Sequence, residues 1–260
     1  MRPPVVFISH GAPTVALEEH EDYARALARF GRSAGPLRAI VVMSAHWESA
    51  GPARVTTAGR PELIYDFYGF PDPLYTMTYP APGDPNLAQE MVSLLARAGC
   101  GAAAEMRRGW DHGVWVPLRL MFPVPVAPVI EISLPRPSTP ADLLRVGSAM
   151  APLRDSGVLL IGSGGIVHNL RRIRLEEKEG PVDDWAREFD DWFADRLARR
   201  DVEALVSYRS MAPHAALAAP TTEHFDPVFF VLGASDAGDP ILTIHEGIQF
   251  GNLSMRSFAC

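Results

Sequence analysis

The apolar positions of this chain follow two periods that alternate along its length. Short apolar runs rich in β-branched residues, Val5 to Ser9, Ala39 to Ser44, Pro128 to Leu134 and Val158 to Gly162, predict strands. Each is apolar on both faces, the signature of strands covered by helices on two sides. Between them the period lengthens to that of a helix. In PNLAQEMVSLLARAGC, the residues Leu87, Met91, Leu94, Leu95 and Ala98 share one face, with Asp84 placed to cap and Pro85 suited to the first turn. Thr139 and Pro140 open a second helix carrying Leu143, Val146 and Met150, and a third runs from about Val182 to Arg199. In the third, Trp185, Phe189, Trp192, Phe193 and Arg196 recur at helical spacing, an aromatic stripe that reports a packed face before it reports a cofactor.

Strands alternating with helices predict an α/β fold, a layered α/β/α sandwich with a largely parallel central sheet. The tail segments ILTIHEG and NLSMRSFAC predict two closing strands, and the proline-rich stretch from Phe70 to Pro85 a long ordered loop. With no internal repeat and no Ser/Gly-rich linker, residues 1–260 are expected to form a single domain.

Charge and composition narrow the partners. The formal charge of −7 comes from acidic residues dispersed through the chain, which disfavours nucleic acid; the short run Arg171 to Arg174 is expected to be a solvated loop. MRPPVVFISHG lacks the apolar stretch and cleavage site of a secretion signal, and no segment reaches the ~20 apolar residues that span a bilayer, so no membrane partner and a cytoplasmic location are expected. Cys100 and Cys260 have no CxxC spacing and point to neither a disulfide framework nor a thiolate zinc site. Oligomeric state is left open.

The histidines carry the chemistry. His10 follows the first strand in FISHGAP, His46 the second in VMSAHW, and His168 another in LLIGSGGIVHN. The carboxyl ends of strands in an open α/β sheet line one crevice, so three imidazoles distant in sequence can converge there, and imidazole suits divalent Fe, Zn, Cu or Ni. The glycines of GSGGIVHN match neither phosphate-loop signature and are expected to let backbone approach the crevice and aim His168 inward. His112 in GWDHGVW lies between Trp110 and Trp115, either poised for proton transfer or packed in a helix-start turn. His224 in TTEHFDP is either a further ligand or a cap on the next helix. His20 near EEHED is expected to be solvated, His214 to border a pocket from an Ala/Pro loop, and His245 has a weaker case.

Taken in order, SHGAP with His10, SAHW with His46, DHGVW with His112, GSGGIVHN with His168 and EHFDP with His224 resemble the class III extradiol ring-opening dioxygenases. Within them the pattern is most similar to the subgroup named for L-DOPA 4,5-dioxygenase, over essentially the whole chain. The resemblance implies an oxidoreductase that opens a catechol-type ring with O2 at non-haem Fe(II), with Zn(II) also found in the subgroup. It implies His10 and His46 as metal ligands, His224 completing the metal face, His168 as a fourth ligand or an acid/base beside the metal, and His112 as an acid/base touching substrate. The better-known iron face has two histidines and a carboxylate, whereas His224 stands at the carboxylate position here.

The chemistry of ring opening asks for a metal with open positions and for groups that accept and return catechol protons, which His112 and His168 can supply. Trp47, Trp110, Trp115, Tyr65, Phe67 and Tyr68 are candidates to wall a planar ring. Two other readings use the same residues. One is a zinc hydrolase with Glu223 or Asp111 as base, and the other a metal-binding protein without catalysis.

Overall fold

In the computed structural model, which describes residues 2–260, the four strands predicted from two-sided apolar runs lie side by side at the centre of the sheet. They are β1 (Val5–Ser9), β2 (Ala39–Ala50), β5 (Val129–Arg136) and β6 (Val158–Gly164), all mutually parallel in the order β5-β2-β6-β1. Short strands complete an eight-stranded sheet. On one side β3 (Ala53–Thr56) runs antiparallel to β5 and pairs in parallel with β4 (Ala102–Glu105). On the other, β10 (Ser257–Ala259) runs antiparallel to β1, with β7 (Leu242–His245) outermost. The predicted closing strands are thus present, but the second tail segment divides. Its Leu253–Ser254 (β9) pairs with Ile248–Gln249 (β8) in a separate ribbon, and only β10 joins the main sheet.

Alternation along the central strands sends side chains into two cores. Val6, Ile8, Ile40, Val42, Leu159 and Ile161 face a layer built from α1 (Asp22–Ser33) and α3 (His112–Met121). Val5, Phe7, Val41, Met43, Val158 and Leu160 face the opposite layer. That layer contains α2 (Pro85–Arg97), α4 (Pro140–Met150), α5 (Asp184–Ala198), the short helices α6 (Val202–Val206), α7 (Tyr208–Met211) and α8 (Ala215–Ala218), and α9 (Pro227–Ala234). The caps follow the local chemistry. Asp84 accepts from the backbone of Asn86 and Leu87 at the start of α2, and Thr139 forms a reciprocal capping box with Asp142 at α4. Among the described residues no helix is long and apolar enough to cross a membrane, and Cys100 and Cys260 are both free thiols.

One boundary differs in a way that matters. His46 does not follow its strand, as the sequence predicts, but lies inside β2. Pairing with β6 stops at Ser44, the register against β5 shifts between Met43 and Glu48, and the strand then continues to Ala50. Such an irregularity re-aims side chains without ending the strand, and here it turns the His46 ring into the crevice.

Candidate active site

Five histidines, His10, His46, His112, His168 and His224, line a single cavity of about 360 Å³ at the carboxyl ends of the central strands. His10 is the first residue after β1 and is fully buried. Its Nδ1 lies 3.0 Å from the Ser163 hydroxyl, and that hydroxyl donates to the Gly113 carbonyl at 2.5 Å. With its one proton committed to Gly113, Ser163 can only accept from His10. The proton of a neutral His10 therefore sits on Nδ1, and the Nε2 lone pair faces the cavity.

Neighbouring acceptors orient His224 as well. His224 Nδ1 lies 3.1 Å from Glu223 Oε1, an acceptor that also receives the Thr221 hydroxyl at 2.7 Å. His224 Nε2 is therefore the free nitrogen, and it is buried with no hydrogen-bond partner in the protein. His46 Nε2 stands 3.1 Å from His10 Nε2. Two nitrogens each ~2.0–2.1 Å from one ion are separated by about 2.9–3.4 Å, so this spacing suits a shared cation. The ligand nitrogens of His10, His46 and His224 all lie within 4.8 Å of one another. A buried, partnerless imidazole nitrogen aimed at two others is the donor chemistry that a borderline divalent metal requires.

Burial and mutual repulsion keep these rings neutral. The pKa of His10 is pushed well below the ordinary value by burial first and by the other imidazoles next. His224 is lowered well below it by burial and His168. Burial, then His112, lowers His46 to about 4, and burial, then His46, lowers His168 to about 4. Neutral imidazoles are the metal-binding form.

His168 lies outside this donor set. Its ring stacks on His224, with centroids 3.5 Å apart and planes 9° from parallel, and its backbone N–H donates to Ala218 at 2.9 Å. The glycines before it let backbone approach closely, as expected, and the backbone they admit is that of the His224 turn. A Cβ on Gly164 would stand 2.0 Å from the His224 carbonyl oxygen, and one on Gly162 would stand 2.5 Å from that of Pro227. These glycines admit the turn that carries His224.

His112 sits at the first position of α3, on the cavity wall. Its Nδ1 and its backbone N–H both lie 2.9 Å from Asp66 Oδ1, while Asp66 Oδ2 is 3.5 Å from His46 Nδ1. Burial raises the Asp66 pKa, but bonding to the His112 ring and backbone prevails and holds it at about 2. Asp66 thus stays ionised, accepts the His112 Nδ1 proton, and leaves Nε2 facing the cavity. Sequence reasoning missed Asp66. The signal was a lone acid in the aromatic run LIYDFYGF, and its significance depends on a partner 46 residues away.

Trp110 and Trp115, expected as possible walls, are fully buried and act as fasteners. Trp110 exchanges backbone hydrogen bonds with Glu62 and Ile64 at 2.9 and 2.7 Å, and Trp115 Nε1 donates to the Ile64 carbonyl at 3.2 Å. These bonds tie the Asp66 loop to the start of α3. Trp47 is buried beneath Arg108, Tyr65 lies outside the lining, and Tyr68 is 89% exposed. Of the predicted wall aromatics only Phe67 lines the cavity, joined by Phe70. His214 does not border it either: its Nε2 lies 2.9 Å from Glu188, outside the lining. His20 is exposed as expected, and His245 packs edge-on against Tyr23.

The candidate hydrolytic bases are committed elsewhere. Asp111 is fully buried, accepts from Ser44 at 2.7 Å and pairs with Arg108 at 2.8 Å. Burial and the neighbouring Asp111 raise the pKa of Glu131 well above normal, so this acid stays protonated. Arg108 also donates to the His46 carbonyl at 3.2 Å, which makes this buried group a support for the irregular turn of β2. Glu223 is the hydrogen-bond partner of His224 and is absent from the cavity lining.

The α/β sheet brings to one cavity a group of neutral imidazoles that could hold a metal ion. The family described as the catalytic LigB subunit of aromatic ring-opening dioxygenase matches residues 4–250, and the chain belongs to that family. It is therefore an oxidoreductase of the dioxygenase class. It is 38% identical over 98% of its length to 4,5-DOPA dioxygenase extradiol of Escherichia coli (strain K12), covering 94% of that protein. It is 37% identical over 97% of its length to the protein of the same name from Beta vulgaris, again covering 94%. A crystal structure of an uncharacterized protein from Escherichia coli K12 superposes with a TM-score of 0.83 at 34% identity, over 99% of both chains.

Proposed function

We propose that the chain opens a catechol-type ring with O2 at a divalent metal held by His10, His46 and His224, with His112 and His168 handling protons. The observation that carries this reading is the convergence of one ring nitrogen from each of the three histidines within 4.8 Å, with His10 and His46 meeting through Nε2 and His224 Nε2 buried and unpartnered. The names of the relatives specify DOPA; what we transfer to this chain is the catechol core. We further propose Fe(II) as the working metal, because zinc has no redox chemistry to offer dioxygen. The first and last strands pair with each other, which supports one domain as the working unit.

Such an ion, when bound, supplies adjacent coordination positions and a route for electrons between the aromatic and dioxygen. The protein's own groups do the rest. Ser163 and Glu223 hold the His10 and His224 tautomers, so both rings would offer Nε2 to a bound ion. Asp66 holds the His112 proton on Nδ1, so Nε2 is the atom that takes a catechol hydroxyl proton. His168, stacked on His224, is a second acid/base on the same cavity. Phe67 and Phe70 cover the ring and keep water from it.

The test is anaerobic loading with Fe(II) or Zn(II), followed by oxygen uptake and the visible absorbance of the ring-opened semialdehyde across a catechol panel. We expect turnover with Fe(II), none with Zn(II) alone, and poor metal retention in His224→Ala. Full metal retention and activity in that variant, or no oxygen uptake with any catechol, would overturn the assignment.

A further inference from the structure

Above the histidines the cavity changes character. Its upper wall is Phe67, Phe70, Leu170, Ile173, Leu175 and Leu253. The Asp66 carboxylate is the one ionised carboxylate in the lining, and no lysine or arginine lines it among the described residues. Leu170 and Leu175 are 59% and 64% exposed and both line the cavity beside Ile173, so together they make an apolar mouth rather than scattered surface residues. The nearby cations lie outside the lining. Lys178 pairs with Glu18 and Glu21, Arg174 with Asp183 and Glu177, and the exposed Arg171 and Arg172 lie outside the lining.

From this wall we infer that the preferred substrate is a catechol bearing an uncharged apolar substituent, rather than an amino-acid catechol such as DOPA. The inference rests on the ring-opening reading for the catechol end, which binds at the histidines. The substituent must then extend along the leucines and Ile173, because the opposite end of the cavity is closed by His10 and His224, both buried. A carboxylate placed there would leave water with no cation in the lining to pair with, and the one charge that could meet an ammonium, Asp66, already accepts from the His112 ring and backbone, so the exchange is unfavourable. An alkyl chain there loses only contact with water, which is favourable. A cavity of about 360 Å³ falls in the range that holds a ring together with a substituent.

The experiment measures binding and turnover separately on the metal-loaded full chain, with 4-propylcatechol, catechol and DOPA as probes. Binding is followed by calorimetry under anaerobic conditions and ring opening by oxygen uptake. The substituents of 4-propylcatechol and DOPA have three carbons each, so the difference is the desolvation of the ammonium and carboxylate, which is expected to make 4-propylcatechol bind at least tenfold more tightly than DOPA. In Leu170→Arg and Leu175→Arg, each introducing a counter-charge for the amino-acid carboxylate, that ratio is expected to fall by about tenfold. DOPA binding as tightly as 4-propylcatechol to the wild-type protein overturns the inference, even if both are opened. A preserved binding preference with no ring opened by any probe supports the apolar pocket and overturns the dioxygenase reading instead.

Discussion

Replacing Ser163 by alanine tests whether the tautomer of His10 is set by its neighbour. Ser163 is fully buried, its hydroxyl accepts from His10 Nδ1 at 3.0 Å and donates to the Gly113 carbonyl at 2.5 Å, and His10 is itself only 2% exposed. Ser163→Ala removes both bonds and leaves one buried donor and one buried acceptor without partners. Each such orphan costs about 1–3 kcal/mol, so roughly 2–6 kcal/mol of stability is at stake. The functional effect is separate. Without the Ser163 oxygen nothing holds the proton on Nδ1, and loss of an outer hydrogen-bond partner of a ligating histidine typically weakens metal affinity ~10–100-fold. Urea unfolding of the metal-free protein measures the first quantity and chelator competition for Fe(II) or Zn(II) the second. Nitrogen NMR of the imidazoles reports the tautomer directly. A variant that is less stable but binds metal as well as wild type would refute the reasoning and leave Ser163 a packing residue.

Further outcomes follow from the same geometry. His112→Ala should keep its metal and fold while losing ~100- to 10,000-fold in ring-opening rate, as expected for an acid/base group; steady-state kinetics beside metal analysis checks both, and wild-type turnover would move the proton transfers to His168. The metal-free protein should be acid-labile. With the His46 pKa lowered by burial to about 4, the unfolded chain binds the extra proton between pH 6.5 and 4. Stability is therefore full above pH 6.5 and declines as pH falls toward 4, by about 3 kcal/mol from this residue, and a flat urea-unfolding profile over that window would contradict the assignment. Gly164→Ala forces a Cβ to within 2.0 Å of the His224 carbonyl. It should lower stability by about 1–3 kcal/mol or more and reduce metal retention with it, and unchanged retention would detach that turn from the site.

What the sequence determined by itself is what local periodicity can report. A strand buried on both faces has no polar side to show, so β1, β2, β5 and β6 appear as unbroken apolar runs, and they form the parallel centre. His10 was legible for the same reason, since the ends of those strands open on a common crevice, whereas His112, at a helix start, and His224 stood out only through the motifs around them. The short strands β3 and β4 at one end of the sheet lie outside the elements that the pattern predicts, because Ala53–Thr56 and Ala102–Glu105 are four residues each and carry too few alternations to stand out. Only the tertiary structure decided how the imidazoles are held. Asp66 meets His112 across 46 residues and Ser163 meets His10 across 153, and nothing near either residue in sequence marks the pairing. It also decided which aromatics face substrate. Trp115 and Phe67 are equally apolar in sequence, but α3 turns one into the core while the loop tied to it by Trp110 and Trp115 presents the other to the cavity. Burial pattern is a property of a segment and can be read one residue after another; a tautomer, or the sign of charge on a cavity wall, is a property of residues that meet only when the crossovers have brought them together.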